Sequence, residues 1–194
     1  MSEEAIADVA DSIRSGWLAM GPKTILFEKN FAGYVGASYA LAVNSATAGL
    51  HCALTALGIG AGDEVITTPM TFAATANAIL FTGAKPVFAD IDRDTLDIVP
   101  GNIERAVTKK TKAVVPVHFA GTPCDMDEIE AIADAHGLAV VEDAAHALGA
   151  EYKGRKVGAD RGARRLSVFS FHPTKNITTG EGGMVCRTKI SPKK

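Results

Sequence analysis

The chain has 194 residues, of which 47% are hydrophobic and 22% are charged, and its formal net charge is −2 at pH 7. This composition is typical of a globular α/β domain, and a near-neutral charge disfavours a surface that binds nucleic acid. The sequence has no run of about 18 apolar residues, and its first residues are acidic where a secretory leader would be basic. We therefore expect a cytoplasmic protein with no membrane role.

Apolar runs alternate with helical stretches along most of the chain. Two amphipathic helices are predicted first, over residues 3–14 and 23–35. Strands are predicted at 39–43, 64–67, 86–89, 113–117, 138–141 and 168–171, and helices between them at 46–57, 72–81, 101–107 and 126–136. Strands that are apolar on both faces and separated by helices indicate an α/β fold, with a mostly parallel sheet flanked by helices.

The first predicted strand runs into small polar residues that open a helix, Ser45-Ala46-Thr47-Ala48-Gly49-Leu50. Backbone N–H groups of Ala46 and Thr47, together with the Thr47 hydroxyl, suit a phosphate dianion at the start of that helix. Ordinary capping of the helix by Ser45 explains the same pattern, and both interpretations stay open.

Asp143 follows the predicted strand 138–141, at the edge where open α/β sheets bind ligands. An aspartate there is suited to hold the proton of a pyridinium nitrogen, as in proteins that bind a pyridoxal phosphate ring. The alternative role is to cap a short helix over residues 144–148. On such a helix His146 would share a face with Asp143, although a merely buried histidine fits the same pattern.

Phe72 opens the helix that follows the second predicted strand. Its ring is suited to stack on a flat heteroaromatic group. The alternative is a phenylalanine of the hydrophobic core.

Lys175 lies just past the last predicted strand, in a polar turn that Pro173 enters and three glycines leave. A lysine held in this way is aimed at one place and can form a Schiff base. The alternative is a solvent-exposed loop lysine. This interpretation is less favoured because Asp143 is expected at the same edge of the sheet.

Together these segments resemble the DegT/StrS family of sugar-nucleotide aminotransferases, which are pyridoxal-phosphate enzymes. The resemblance runs from about residue 3 to residue 185. Six motifs carry it: Ser15-Gly16-Trp17-Leu18 with Gly21-Pro22-Lys23, Ser45-Ala46-Thr47-Ala48-Gly49-Leu50-His51, Gly62-Asp63-Glu64-Val65-Ile66, Val117-His118-Phe119-Ala120-Gly121, Glu142-Asp143-Ala144-Ala145-His146-Ala147 and Ser170-Phe171-His172-Pro173-Thr174-Lys175.

The resemblance implies the large domain of the fold-type I, aspartate aminotransferase-like enzymes, with pyridoxal 5'-phosphate as the cofactor and no metal. It also implies a cofactor role for seven residues. Lys175 would hold the cofactor, Asp143 would pair with the ring nitrogen, Phe72 would cover the ring, His146 would lie near its phenolic oxygen, and Ala46, Thr47 and Ser170 would bind the phosphate.

The sequence around Lys175, at residues 169–173 and 176–178, most resembles that of family members that aminate C4 of UDP-linked 4-keto sugars for cell-surface glycans. The implied reaction transfers an amino group, usually from glutamate, to the ketone of a nucleotide sugar. Lys175 would first hold the cofactor and then, once released, act as base and acid. Two alternatives are a related sugar dehydratase, in which a histidine would replace Lys175, and a non-catalytic α/β fragment that only binds a ligand.

Two segments depart from the family pattern. Residues 159–166 are longer and more basic than the usual link, and we expect a protruding surface loop there, with phosphate binding as a minor option. After residue 185 the chain becomes a polar tail, 186–194, where family members continue into a small C-terminal domain. Residues 1–185 are thus expected to be an incomplete large domain of a homodimeric protein, inactive by itself.

The remaining conspicuous groups are interpreted as structural. Asp90, Asp92 and Asp94 fit a solvated turn better than a metal site. Cys52, Cys124 and Cys186 lack the spacing of zinc ligands and fit thiols in a reducing compartment. His118 ends a predicted strand and could face the site, but we assign it no role.

Overall fold

The computed structural model describes residues 2–188. Strands in this part of the chain are β1 (Tyr39–Val43), β2 (Glu64–Thr67), β3 (Lys85–Phe88), β4 (Thr111–Val115), β5 (Ala139–Asp143), β6 (Glu151–Tyr152), β7 (Arg155–Lys156), β8 (Arg165–Ser170) and β9 (Gly183–Arg187). Helices are α1 (Glu3–Arg14), α2 (Pro22–Val35), α3 (Ala46–Ala56), α4 (Ala74–Phe81), α5 (Pro100–Ala106) and α6 (Met126–His136).

Seven strands form one sheet in the order β1-β9-β8-β5-β4-β2-β3, and β6 pairs with β7 as a separate hairpin. β9 is antiparallel to both of its neighbours, whereas β8, β5, β4, β2 and β3 pair in parallel. The expected fold class, a mostly parallel sheet flanked by helices, is confirmed.

Successive residues of a strand point to opposite sides of the sheet, and helices pack against the apolar side chains on both sides. Val141 and Val168 pack with Leu50 and Leu54 of α3 on one face. On the other face, Val140 packs with residues of α5 and α6, while Phe169 and Met184 pack against Phe31 and Val35 of α2. β5 and β8 are buried along their whole lengths, as expected for strands covered on both sides.

The topology brings several strand ends to one edge of the sheet. Parallel β4, β5 and β8 all end at this edge, and the return strand β9 begins there, at Gly183 opposite Ser170. Because β1 is also antiparallel to β9, it ends at the same edge, and α3 starts there directly afterwards. Carboxyl ends of parallel strands with a helix N-terminus beside them form the usual ligand-binding edge of such sheets.

Three parts of the fold differ from the expectations: the segment 144–148, strand β9, and the hairpin β6–β7, which was not predicted. No helix forms over residues 144–148, which make consecutive turns instead. Strand β9 was not predicted, since Gly180, Gly182 and Gly183 were interpreted only as a turn, and it runs through Arg187, two residues beyond the expected boundary at residue 185. The rest of the polar tail, 189–194, lies outside the described residues.

The basic segment 159–166 was expected to protrude, and this is wrong for its two inward-facing arginines. The side chain of Arg161 is only 4% exposed and lies 3.5 Å from Glu130 of α6. Arg165 begins β8 and binds Asp134, near the end of α6. The segment therefore neutralises acidic groups of α6, at the end of β8 that lies away from Ser170.

Candidate functional site

A cavity of 480 Å³ opens at the ligand-binding edge of the sheet. The structure brings all of the predicted site residues together in its wall: Ala46, Thr47, Phe72, Asp143, His146, Ser170 and Lys175. They come from four separate stretches of the sequence, and only the meeting of strand ends at one edge joins them.

Asp143 is the last residue of β5, is buried, and has both carboxylate oxygens held. Its Oδ2 accepts a hydrogen bond from the hydroxyl of Thr75 at 2.7 Å, and its Oδ1 accepts one from the N–H of Ala145 at 3.2 Å. The alternative role as a cap therefore describes one oxygen, which caps a turn instead of a helix. Because each carboxylate oxygen has two acceptor sites, Asp143 retains capacity for a donor in the cavity.

The start of α3 offers backbone donors to the cavity. Ser45 is the N-cap, and its hydroxyl oxygen accepts the N–H of Ala48 at 3.1 Å. The first N–H groups of a helix have no acceptor within the helix, so those of Ala46 and Thr47 are suited to an anion. Both sequence interpretations of this segment are thus compatible, since Ser45 caps one donor and leaves two.

Gly183 keeps the space beside these donors free. A Cβ built on Gly183 would lie 2.8 Å from the backbone nitrogen of Ala46 and 2.8 Å from the carbonyl oxygen of Phe169. No side chain fits there without displacing backbone, so β9 can approach the start of α3 only through a glycine. The backbone donors of Ala46 and Thr47 and the hydroxyl of Ser170, all in the cavity wall, are groups suited to bind a phosphate.

Lys175 is half-buried in the turn between β8 and β9. The base of this turn is held by the N–H of Phe171, which donates to the carbonyl of Gly182 at 2.9 Å, and by the hydroxyl of Thr178, which donates to the carbonyl of Phe171 at 2.8 Å. The N–H of Lys175 itself donates to the carbonyl of His172 at 2.9 Å. These bonds fix the backbone that carries the lysine.

His146 lies close to both charged groups of the cavity. Partial burial and the positive charge of Lys175 lower the pKa of His146, while the negative charge of Asp143 opposes this shift. A lowered pKa keeps the imidazole neutral at pH 7. The alternative of a buried histidine is wrong, because His146 is only partly covered and is open to the cavity.

Phe72 is not a core residue. Its side chain is 80% exposed and forms part of the cavity wall just before α4. A large apolar ring exposed at the mouth of a cavity is suited to lie against a flat ligand.

A buried polar network beneath the cavity was not predicted. His118 is fully buried, its Nδ1 accepts the N–H of Cys124 at 3.1 Å, and its Nε2 lies 2.9 Å from the carboxylate of Glu142. Nε2 therefore carries the ring hydrogen and donates a hydrogen bond to Glu142. The Glu142 carboxylate also accepts a hydrogen bond from the hydroxyl of Ser167 at 2.7 Å. Burial raises the pKa of Glu142, but the hydrogen bonds from His118 and Ser167 outweigh it and bring the pKa below its usual value.

Sequence reasoning could have found part of this network. Glu142 and Asp143 are adjacent on a strand and must point to opposite faces, so only one of them can face the ligand. Nothing in the sequence pairs Glu142 with His118 or Ser167, because Glu142 lies in β5, Ser167 lies in β8, and His118 lies in the loop after β4.

With the geometry described, comparisons with known proteins identify the relationship. A family profile described as the DegT/DnrJ/EryC1/StrS aminotransferase family matches residues 1–189. The chain belongs to this family of aminotransferases. Among curated relatives, the spore coat polysaccharide biosynthesis protein SpsC of Bacillus subtilis is 58% identical over 185 residues, which are 95% of this chain and 47% of SpsC.

Solved structures of this aminotransferase family have the same fold. The sugar aminotransferase Spr1654 of Streptococcus pneumoniae in its PLP form is 38% identical with a TM-score of 0.90, over 99% of this chain and 52% of that chain. DesI, solved in the presence of its TDP-sugar product, is 43% identical with a TM-score of 0.85, over 93% of this chain and 45% of that chain. The chain therefore spans about half the length of these relatives.

The cofactor of the family is pyridoxal 5'-phosphate, and Spr1654 has been solved in PLP and PMP forms. Within residues 2–188, no group of three or more histidine, cysteine, aspartate or glutamate side chains is arranged to hold a metal ion. None of the helices described between those residues is long and apolar enough to cross a membrane.

Proposed function

We propose that this chain is part of an enzyme that transfers an amino group, from L-glutamate, to the keto carbon of a nucleotide-linked keto sugar. Lys175 and Asp143 in one cavity, beside the donors at the start of α3, carry this proposal. A lysine, a buried carboxylate and a phosphate cradle form the set that an aminotransferase needs around pyridoxal phosphate. The sugar we propose is a UDP-linked 4-keto sugar for cell-surface glycans.

The residues present fit the cofactor at each of its functional groups. Ala46 and Thr47 would hold the phosphate through backbone N–H groups, and Ser170 would add a hydroxyl. Phe72 would lie on one face of the ring, and Asp143 would accept the proton of the ring nitrogen. When bound, pyridoxal phosphate supplies an electron sink for the carbanion formed at the amino-bearing carbon.

Lys175 has two roles in this proposal. Its amine would hold the cofactor covalently at rest, and in its free form it would remove and return the proton that moves during amino transfer. The backbone bonds that fix the turn restrict where the lysine amine can reach. His146, kept neutral by its lowered pKa, would be available as a hydrogen-bond partner near the phenolic oxygen of the ring.

The relatives support the class of substrate. SpsC is a polysaccharide biosynthesis protein, and DesI has been solved with a TDP-sugar product. The presence of Lys175 argues against the sugar dehydratases that carry a histidine at this position. We also propose that the enzyme acts in cell-surface glycan synthesis, that glutamate is its amino donor, and that it is located in the cytoplasm.

The whole enzyme is proposed to be a homodimer, of which residues 1–185 supply the greater part of the large domain. An exposed apolar face supports association: Ile6, Val9 and Ile13 of α1 lie on the surface, and α1 has no buried residue. A contiguous apolar stripe of this kind is typical of an interface.

Amino transfer from labelled glutamate to a UDP-4-keto sugar tests the proposal, with the chain as given and with a family-type C-terminal extension. We expect ¹⁵N in the sugar with the extended protein only, since the chain alone lacks part of the relatives' length. Loss of a sugar hydroxyl without incorporation of nitrogen would instead indicate a dehydratase. Absence of any reaction in the extended protein would favour the ligand-binding fragment.

A further inference from the structure

Thr75 is a buried hydroxyl directly behind Asp143. It lies in the first turn of α4, is 1% exposed, and its Oγ1 is 2.7 Å from Oδ2 of Asp143. The same Oγ1 lies 2.7 Å from the hydroxyl of Thr71. The buried hydroxyl of Thr75 is thus bonded to the carboxylate, and the half-buried hydroxyl of Thr71, which also lines the cavity, is bonded to Thr75.

The direction of these hydrogen bonds follows from the chemistry of the Asp143 carboxylate. An ionised carboxylate only accepts, so Thr75 donates to Asp143, and Thr71 must donate to Thr75. The carbonyl oxygen of Phe72 is a second possible acceptor for Thr75, but at 3.3 Å it is the more distant one. A chain of this kind is cooperative, because each donor polarises the next.

Thr75 also belongs to the same turn as Phe72. The N–H of Thr75 donates to the carbonyl of Phe72 at 3.1 Å, so the two residues are joined through backbone. Phe72 reaches the cavity from this turn, and Thr75 holds the carboxylate in the same cavity. The turn from Phe72 to Thr75 therefore positions both Phe72, which we propose covers the cofactor ring, and Asp143, which we propose pairs with the ring nitrogen.

We propose that Thr75, supported by Thr71, is a positioning residue that fixes the orientation of the Asp143 carboxylate in the cavity where the cofactor would bind. This inference rests on the proposed function, since it needs pyridoxal phosphate in the cavity. Thr75 does not touch the cofactor and acts only through Asp143. Its hydroxyl is the essential part, whereas its methyl group is ordinary packing.

Binding of pyridoxal phosphate to the purified chain tests the proposal in Thr75→Val, Thr75→Ser and Thr71→Val. Valine has nearly the shape of threonine without the hydroxyl, and serine keeps the hydroxyl. We measure the dissociation constant and the visible circular dichroism of the bound cofactor, which reports how its ring is held. Thr75→Val is expected to weaken binding about threefold and to halve the dichroism, Thr71→Val to do the same less strongly, and Thr75→Ser to stay within about 1.5-fold of the parent.

A double-mutant cycle with Asp143→Ala separates positioning from structure, because alanine removes the acceptor of the Thr75 hydroxyl, which asparagine would keep. Adding Thr75→Val or Thr71→Val to Asp143→Ala should change neither readout by more than about 1.5-fold, because the side chain on which both act is gone. Equal losses in the two backgrounds, or a parent-like Thr75→Val, would overturn the inference. If Thr75→Val does not fold, the Thr71→Val cycle gives the same decision.

The cofactor itself distinguishes this failure from a failure of the proposed function. If the parent chain binds pyridoxal phosphate through Lys175 while the Thr75 variants behave like the parent, only the positioning role is lost. If neither the parent chain nor the protein with the C-terminal extension binds pyridoxal phosphate, the proposed function and this inference both fall.

Discussion

Glu142 and Asp143 are neighbouring carboxylates with different surroundings. Glu142 points into a fully buried network with His118 and Ser167, while Asp143 lies in the cavity wall. The alternation of side chains along β5 separates them, so one acid belongs to the fold and the other faces the ligand.

The first prediction concerns Lys175. Borohydride reduction of the chain with bound pyridoxal phosphate should fix one pyridoxyl group on Lys175, because Lys175 lines the same cavity as the start of α3. Peptide mapping by mass spectrometry locates the label, and Lys175→Arg serves as the control that should remain unlabelled. A label on another lysine of the parent chain would remove the basis of the assignment.

The second prediction concerns Asp143. In the protein with a family-type C-terminal extension, Asp143→Asn should lower turnover by about 100-fold or more and weaken cofactor binding by less than about tenfold. The reason is that the charge of Asp143 matters most when negative charge develops on the ring. Steady-state kinetics and cofactor titration measure the two effects, and near-normal turnover would contradict the role of Asp143.

The third prediction concerns the buried carboxylate of Glu142. Its pKa is lowered in the folded state, so it contributes stability above the usual glutamate pKa of about 4.3, and this stability is lost as the pH falls through the lower folded value. Glu142→Gln should therefore flatten the acid side of the stability curve below about pH 4.3. Urea unfolding between pH 7 and pH 3 measures this, with the exposed Glu151→Gln as the control; an unchanged acid slope in Glu142→Gln would refute it.

At the scale of elements, the approach of β9 to the start of α3 decides the shape of the cavity. Gly183 lies in β9 opposite Ser170 of β8 and opposite Val43 of β1. The strand thus fills the gap between β1 and β8 while leaving the backbone donors of α3 accessible.

The fourth prediction follows from this close approach. Gly183→Ala places a Cβ about 2.8 Å from backbone atoms of Ala46 and Phe169, and backbone has to shift to accept it. We expect a loss of about 1–3 kcal/mol in the free energy of unfolding together with weaker binding of pyridoxal phosphate. Gly33→Ala in α2, where a Cβ meets nothing within 4 Å, is the matched control and should bind the cofactor normally. A stable Gly183→Ala with full cofactor affinity would show that the cradle tolerates a side chain.

At the scale of the whole molecule, apolar surface is concentrated near the N-terminus. Ile6, Val9 and Ile13 form a stripe along α1, and Trp17 and Leu18 follow directly after it, all exposed. The spacing of the three α1 residues places them on one face of the helix.

The fifth prediction is that this face drives association between copies of the chain. Ile13, which is 62% exposed, should reduce self-association when changed to glutamate, because a charge cannot be buried there without a partner. Ala7→Glu adds the same charge to α1 outside the apolar stripe and serves as the control. Sedimentation velocity over a range of concentrations measures the effect; equal association in Ile13→Glu and the parent would exclude this face as the interface.

Local pattern by itself predicted the fold class, six of the seven strands of the main sheet, the helices α1–α6 and the candidate site residues Asp143 and Lys175. Apolar strands such as 39–43 and 64–67 were predicted with the bounds that the structure has, because continuous apolar runs between helices have few other solutions. Asp143 and Lys175 were predicted as site residues because each follows a buried strand. Parallel strands end at a common edge, so both residues were bound to lie near each other.

Only the tertiary structure decided which side chains support the site. Thr75 lies 68 positions from Asp143 in the sequence, and Glu142 lies 24 positions from His118, so no local period relates them. The antiparallel strand β9 was missed because the glycines at and before its start are typical of a turn. Its place in the sheet is set by pairing with β1 and β8. The arginines at 161 and 165 were interpreted as a protruding loop because their acidic partners come from α6, which only folding brings beside them. Strand and helix periods are local properties, whereas hydrogen-bond and ion-pair partners are chosen by the packing of distant elements.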